Sequence, residues 1–244
     1  GEEQFIDTIA GVSEDDLTAC IRKAWEQIPV LETSKEGRRD GVIVASSVQP
    51  DWVEMVRRIA KDELDEKILV FGKDVPLPIT CWVDEPEKVG TDRVIAAAAA
   101  YAVVQDAVVV ADFGTAVTID LVDENGVFQG GVILPGFEIS AKALKEYTAR
   151  LPNIEVTKPA APFGKNTVDA INCGLYYSVV GALEEIIRRY AEEIGKWPQT
   201  VITGSAAGVI KDDCQFIDTY VTHLVVRGIV LAYKRHIQEK AEAV

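Results

Sequence analysis

The sequence is poor in the residues that build metal centres and disulfide frameworks. Its 244 residues include two histidines and four cysteines. The cysteines, Cys20, Cys81, Cys173 and Cys214, lie far apart with no Cys-x-x-Cys pair. That spacing argues against structural zinc and against a disulfide scaffold, and reads as free thiols in a reducing cytoplasm. Positive charge is also short: 25 Lys and Arg stand against 39 Asp and Glu, a formal net charge of −14. Such a chain repels phosphate backbones and anionic lipid surfaces, so neither nucleic acid nor a membrane is an expected partner. An anionic substrate would need positive charge supplied locally. The longest apolar run, 94–104, is stopped by Gln105 and Asp106 well short of a bilayer span. The opening "GEEQFIDTIAG" lacks the basic start and apolar core of a secretory signal.

What is present is ample apolar material. Hydrophobic residues make up 48% of the chain and charged ones 26%, a balance that supports a packed core. "QFIDTIAG" reads as a short strand. "SEDDLTACIRKAWEQIP" reads as a helix with Ser13 as N-cap and Pro29 as its stop. "GVIVASSV" and "KILVFG" read as strands, with "PDWVEMVRRIAKDEL" as the helix between them, while "ETSKEGRRDG" reads as a polar loop. A Pro-rich segment, "KDVPLPITCWVDEPEKVG", is the best candidate domain boundary. "TDRVIAAAAAYAVVQ" is apolar all round, so it is expected to lie buried between layers. Three strands follow, 107–111, 117–122 and 127–134, the last two joined at Asn125-Gly126. "SAKALKEYTARL" is a helix. "NTVDAINCGLYYSVVGALEEIIRRYAEEIG" is a long one, capped by Asn166 or Thr167 and closed by Gly195. Gly174 and Gly181 are seven apart, so they share a face where another element can approach closely. "TVITGS" is a strand and "VTHLVVRGIVLAYKRHIQ" a final helix. "VIVASS" and "TVITGS" occupy comparable places in a faint internal repeat, in which the first half lacks two strands that the second half has.

Three stretches carry possible chemistry. In "AVVVADFGTAVTID" a carboxylate, Asp112, ends the most apolar strand and a Gly-Thr turn follows. Gly114 lets backbone approach a ligand, its N–H groups suit phosphate oxygens, and Asp112 suits a cation bridging to them. The same residues also suit an ordinary hairpin with an exposed Asp. In "EPEKVGTDRVIAA", Gly90, Asp92 and Arg93 stand at a loop-to-helix junction, either as a site or as a helix cap and a solvated Arg. In "PFGKNTVDAINCGLYY", Lys165 precedes a helix N-terminus, which suits an anion or simply caps the helix.

Together, "PEKVGTDR", "VVVADFGTAVTIDLVD", "GGVILPG", "SAKAL", "GKNTVDAINCGLYY" and "VITGSAA" resemble the type III pantothenate kinases, over roughly residues 86 to 210. These belong to the acetate kinase, sugar kinase, Hsp70 and actin superfamily. The resemblance implies an α/β fold of two ribonuclease H-like (actin/Hsp70-like) domains, each a mixed sheet flanked by helices, here 1–86 and 87–244 with the first truncated. It implies ATP-dependent phosphorylation of pantothenate to 4′-phosphopantothenate, the first step towards coenzyme A. It also implies Mg²⁺, a monovalent cation (K⁺ or NH₄⁺), a cytoplasmic location and a homodimer. By the same resemblance Asp92 is the general base, and Gly90, Thr91 and Arg93 bind pantothenate. Asp112 sits at the cation and phosphate site. Gly114, Thr115 and Thr118 form the second phosphate motif, and Gly204 is part of the adenosine motif. Thr167 reaches pantothenate across a dimer interface.

The chain departs from the family pattern in four places. No Asp-x-Gly-Asn-Thr phosphate motif is present. Val83 and Glu85 stand where a Tyr and an Asn are frequent, Val117 replaces a frequent Thr, and Ser205 replaces a Gly beside the adenosine. The first departure leads us to expect an upstream extension of about 15–20 residues carrying that motif, enough for two short strands and a turn. A second reading is a kinase homologue that binds ligand or partner without turnover.

Overall fold

The computed structural model describes residues 13–30, 39–47, 49–212 and 214–242. The expected first strand and most of the "ETSKEGRRDG" loop lie outside the described residues. Two compact units divide the chain, Gly1–Pro76 and Leu77–Val244.

In the first unit, helix α1 (Glu14–Glu26) starts at Ser13, whose hydroxyl accepts the Asp16 N–H at 3.0 Å. This satisfies one of the orphan donors of the first turn. Strand β1 (Ile43–Ala45) leads into helix α2 (Pro50–Leu64), with Pro50 in the first turn where its missing N–H costs nothing. Strand β2 (Ile68–Val70) then returns parallel to β1, with Ile43 opposite Ile68 and Ala45 opposite Val70. Val53 and Ala60 of α2 pack on Ile68 and Val70 as the core of this βαβ unit. Arg22–Glu63 and Arg58–Glu14 ion pairs link α1 to α2 across their exposed faces.

The second unit is built on a six-stranded sheet. Its strands are β3 (Thr80–Cys81), β4 (Val108–Phe113), β5 (Ala116–Val122), β6 (Val127–Pro135), β7 (Gln199–Thr203) and β8 (Thr219–Tyr220). The spatial order is β3-β6-β5-β4-β7-β8. Only β5 runs against its neighbours. The two-residue strands β3 and β8 are additions to the sequence reading, too short to show an alternation. The β5–β6 turn closes on Asp123, whose Oδ1 accepts the N–H groups of Asn125 and Val127, each at 2.9 Å. Gly126 takes φ +76° there, and a Cβ would stand 2.6 Å from the Tyr101 ring. The turn therefore needs glycine twice over.

Helix α3 (Thr91–Val104) covers one face of this sheet, with Val94 through Ala100 all buried. Helix α6 (Leu224–Glu242) packs on the outer side of α3. The alanine run thus lies between two layers, and small side chains let both come close. Helices α4 (Phe137–Glu146) and α5 (Thr167–Ile194) connect β6 to β7. α4 begins three residues earlier than the sequence reading and ends five earlier. On the opposite face of the sheet, Val109, Ala111, Val117 and Ile119 meet Tyr176, Leu183 and Ile187 of α5. α5 is capped by Asn166, whose Oδ1 accepts the Asp169 N–H at 2.9 Å, and closed by Gly195 at φ +75°.

At Gly228 of α6 a Cβ would stand 2.7 Å from both the Ile95 carbonyl oxygen and its Cγ2. Ala favours helix over Gly by about 0.8–1 kcal/mol, but overpacking costs about 1–3 kcal/mol, and a backbone carbonyl cannot swing aside. Gly228→Ala is therefore expected to lower stability, read as an earlier midpoint in urea. An unchanged or later midpoint would mean that α6 does not press on α3 this closely.

Candidate active site

The sheet register assembles the site. Asp112 at the end of β4 lies opposite Thr118 on β5 and Thr203 on β7, and Thr118 lies opposite Ile133 on β6. One step along, Asp120 lies opposite Val110 and Gly131. Side chains two apart on a strand share a face, so Asp112, Thr118 and Asp120 emerge together on the α3 side. Ile133 in this row is 63% exposed, so the sheet is open there, beyond the start of α3.

Helix α3 begins with Gly90 in the N-cap position, and no side chain caps it. Asp92 is therefore not the cap. It is exposed, and its Oδ1 accepts the Arg93 backbone N–H at 2.9 Å. Arg93 turns under to Asp120. Its Nε lies 3.1 Å from each Asp120 oxygen, and Nη2 donates to Oδ1 as well. The pair is deeply set, with the Arg93 side chain 17% and that of Asp120 2% exposed. The guanidinium carbon also lies 5.9 Å from the Phe128 ring centroid. Arg93 is thus not the solvated cation that a lone Asp-Arg pair would suggest.

Burial raises the Asp120 pKa, incompletely offset by Arg93 and by a hydrogen bond from the Thr118 hydroxyl. Burial works against the Arg93 charge too, yet Asp120 holds its pKa above the ordinary value. Tyr190 on α5 donates to the Ile119 carbonyl at 3.0 Å, and burial next to the Asp120 charge pushes its pKa up to about 12. Asp112 is half-buried, with its pKa raised by burial and then by the charges of Asp92 and Asp120. Every influence on it acts in the same direction. Asp92 and Asp120 thus act on Asp112 as like charges, while Arg93 is the cation of Asp120.

The loops around Asp112 are held close by backbone bonds. Gly136 N–H donates to Thr115 O at 3.1 Å, and Ala206 N–H to Phe113 O at 3.0 Å. Gly204 follows β7 at φ +99°, where a Cβ would stand 2.5 Å from Asp112 Oδ1 and from Phe113 N and O. Only glycine fits against that carboxylate. Gly114, Thr115, Asn153, Glu155 and Ser205 line an adjoining cavity of about 560 Å³. Among the described residues no three His, Cys, Asp or Glu side chains gather as a metal-binding group.

Thr167, the first residue of α5, is not part of this cluster. With Lys165 and Asn166 it lines a separate cavity of about 590 Å³ that also includes Gly174. Asn166 has already taken the Asp169 N–H with its side chain and the Ala170 N–H, at 2.9 Å, with its carbonyl. The capping reading of "GKNT" accounts for those donors. Val83 packs 3.5 Å from where a Gly130 Cβ would stand, and Glu85 pairs with Lys88 on the surface. Asp120 was missed in the sequence. Its signal was there, a carboxylate followed by two apolar residues at the inner end of its strand, which has to find a cation or hydrogen-bond donors when buried.

Comparison with known proteins gives a consistent picture. The protein-family model for type III pantothenate kinases matches residues 6–189. A type III pantothenate kinase of Bacillus cytotoxicus is 36% identical over 224 residues, spanning 92% of this chain and 84% of that protein. Among solved structures, a conserved Baf-family protein of Campylobacter jejuni, described as a transcriptional activator, superposes with a TM-score of 0.58 at 22% identity. That match covers 82% of this chain and 85% of the other, and it bears on the fold alone.

The raised Asp112 pKa has a consequence for stability. A carboxyl whose pKa is higher folded than unfolded favours the fold while protonated, and that contribution is lost as pH rises through the folded value. Asp112 is penalised in this way above its ordinary value of 3.8. Asp112→Asn has no proton to lose. In buffer free of potassium, ammonium and magnesium it is expected to melt higher than the parent at pH 7, with the gap narrowing as pH falls. An equal or lower Tm at pH 7 would show that the carboxylate is not unfavourably placed.

Proposed function

The chain belongs to the type III pantothenate kinase family, and from that premise we propose how its residues share the transfer of a phosphoryl group to pantothenate. The activity is that of a kinase in coenzyme A biosynthesis, with ATP and pantothenate as substrates. The observation that carries the residue assignment is that Arg93, at the start of α3, is bound to Asp120, while the charges of Asp92 and Asp120 both act on Asp112 two residues along the same face of the sheet. Phosphoryl transfer asks mainly for positioning and charge neutralisation. Asp92, exposed at the start of α3, aligns the attacking hydroxyl and accepts its proton. Gly90 and Thr91 shape the loop that holds pantothenate, and Arg93 supplies a donor face beside it. Gly114 and Thr115 border the phosphates and Ser205 the adenosine in the cavity of about 560 Å³, with Gly204 next to Ser205 on the chain.

Asp112 suits a monovalent cation, K⁺ or NH₄⁺. It is a single carboxylate burdened by two like charges, with threonine side chains opposite and no Cβ on Gly204 to crowd it. A lone carboxylate makes a poor divalent cage; Mg²⁺ is better carried by the nucleotide phosphates. Bound there, these ions would offset phosphate charge that an acidic chain cannot.

We read Leu77–Val244 as one actin-like domain, supported by a sheet in which β5 alone is antiparallel, and Gly1–Pro76 as belonging to a second. The cytoplasm is the expected location, in keeping with four free cysteines. Among the described residues no helix is long and apolar enough to cross a membrane.

A homodimer is the proposed active unit. Gly174, Tyr177 and Gly181 lie on one exposed stripe of α5, and a Cβ on either glycine would meet nothing within 4 Å. The close approach expected along this face is not made by the described residues of the chain itself. A partner seated there would bring its own α5 start, with Thr167, to the neighbouring site. Sedimentation is expected to show a dimer at micromolar concentration. Gly181→Trp should shift it to monomer, and a parent protein that is monomeric and active would refute the dimer.

The catalytic assignment is tested by ADP release with and without pantothenate. Asp92→Asn should lower kcat by about 10²–10⁴-fold, with pantothenate binding and thermal stability nearly unchanged. Near-parental kcat in that variant would remove Asp92 from the base role.

A further inference from the structure

Arg93 is held from behind, and the holding group has no part in the assignment above. The Asp120 carboxylate takes the Nε–H and one Nη2–H of the guanidinium side-on. It is itself fixed by the Thr118 hydroxyl. Gly131 opposite leaves it room, since a Cβ there would overlap Asp120 Oδ1. An Arg has five N–H donors in one plane, so three remain. Among the described residues no acceptor takes the Nη1 protons. The Arg93 side chain keeps 17% of its surface exposed and feels the Asp92 charge, so the free edge is open to face outward on that side.

We propose that Asp120, oriented by Thr118, is a positioning residue that fixes the Arg93 guanidinium with its free edge towards pantothenate. The inference rests on Arg93 lying on the pantothenate side of the site. Without the clamp a long, flexible side chain would have to lose rotamer freedom each time substrate bound, and preorganisation removes that penalty. Thr118 is thereby assigned to pantothenate binding and not to the phosphates. A hydroxyl has one proton, and here it is donated to Asp120.

Asp120→Asn keeps the volume and one acceptor but removes the charge. The expected result is a rise of about tenfold or more in the KM for pantothenate, with kcat and the KM for ATP within about threefold. Thr118→Val should give a smaller rise in the same constant and none in the KM for ATP. Adding Asp120→Asn to Arg93→Ala should change pantothenate binding little beyond Arg93→Ala alone, because the two act as a unit. A merely structural Asp120 would instead lower kcat through a reduced folded fraction, leave both KM values unchanged, and so overturn the proposal. Thr118→Val raising the KM for ATP would overturn it as well, returning Thr118 to the phosphates. If Arg93→Ala raises the pantothenate KM and Asp120→Asn does not, the clamp fails and the site stands. If Arg93→Ala leaves that KM unchanged, the site reading fails and the clamp with it. Should Asp120→Asn not fold, Thr118→Val decides the matter on the same two constants.

Discussion

A carboxylate that is 2% exposed in the middle of a strand has to be paired, and Arg93 at the start of α3 pairs it. This ion pair between Arg93 and Asp120 ties the first turn of α3 to β5, inside the sheet. It therefore sets where Asp92 stands, since Asp92 and Arg93 are neighbours on the chain. The alanine run behind them does the rest. With Val94 through Ala100 buried between sheet and α6, the helix has little freedom to roll or slide. Rigid packing behind and an ion pair in front leave the first turn as a fixed platform at the C-terminal end of β4. Such a platform is what a positioning-dominated reaction needs.

The same arrangement is unfavourable electrostatically when nothing is bound. The charges of Asp92 and Asp120 raise the proton affinity of Asp112, and that of Asp92 raises it at Asp120, while the one Arg pairs with Asp120 only. A chain of net charge −14 offers no long-range relief. The site thus gives up stability for concentrated negative charge, which suits the cations proposed for it. The acidic character that makes nucleic acid an unexpected partner at the level of composition would, at this site, make cations useful.

Much of this was legible from residue patterns, because the devices are local. Ser13, Asn166 and Gly195 cap helices within a few residues of themselves, and the Asn125-Gly126 turn closes on Asp123. The apolar strands 108–113 and 116–122 differ from the sequence reading by a residue or two at their ends. What was not legible depends on residues far apart in the chain. The partnership of Arg93 with Asp120 spans 27 positions and needs the β4–β5 register to be known. Asp120 looked like one more polar residue in an alternation. Two-residue strands such as β3 and β8 carry no pattern at all, because they exist only where a longer strand lends them its edge.

Glycine shows most sharply what a sequence withholds. Gly204, Gly228, Gly174 and Gly181 are the same letter in three different situations. Gly204 is required by a left-handed backbone pressed against Asp112. Gly228 is required by the carbonyl of Ile95, although its helix would be better served by alanine. Gly174 and Gly181 meet nothing within 4 Å, and by helix propensity alone each weakens α5 by about 0.8–1 kcal/mol relative to alanine. A glycine that nothing inside the chain requires, repeated two turns apart on an exposed face next to Tyr177, points to a requirement outside it. Two helices that cross at such a stripe can bring their backbones close together. In the proposed dimer, that closeness would bring the start of one protomer's α5, with Thr167, towards its partner. On this argument the local weakness of the long helix and the proposed sharing of a site between protomers are one feature seen from two sides.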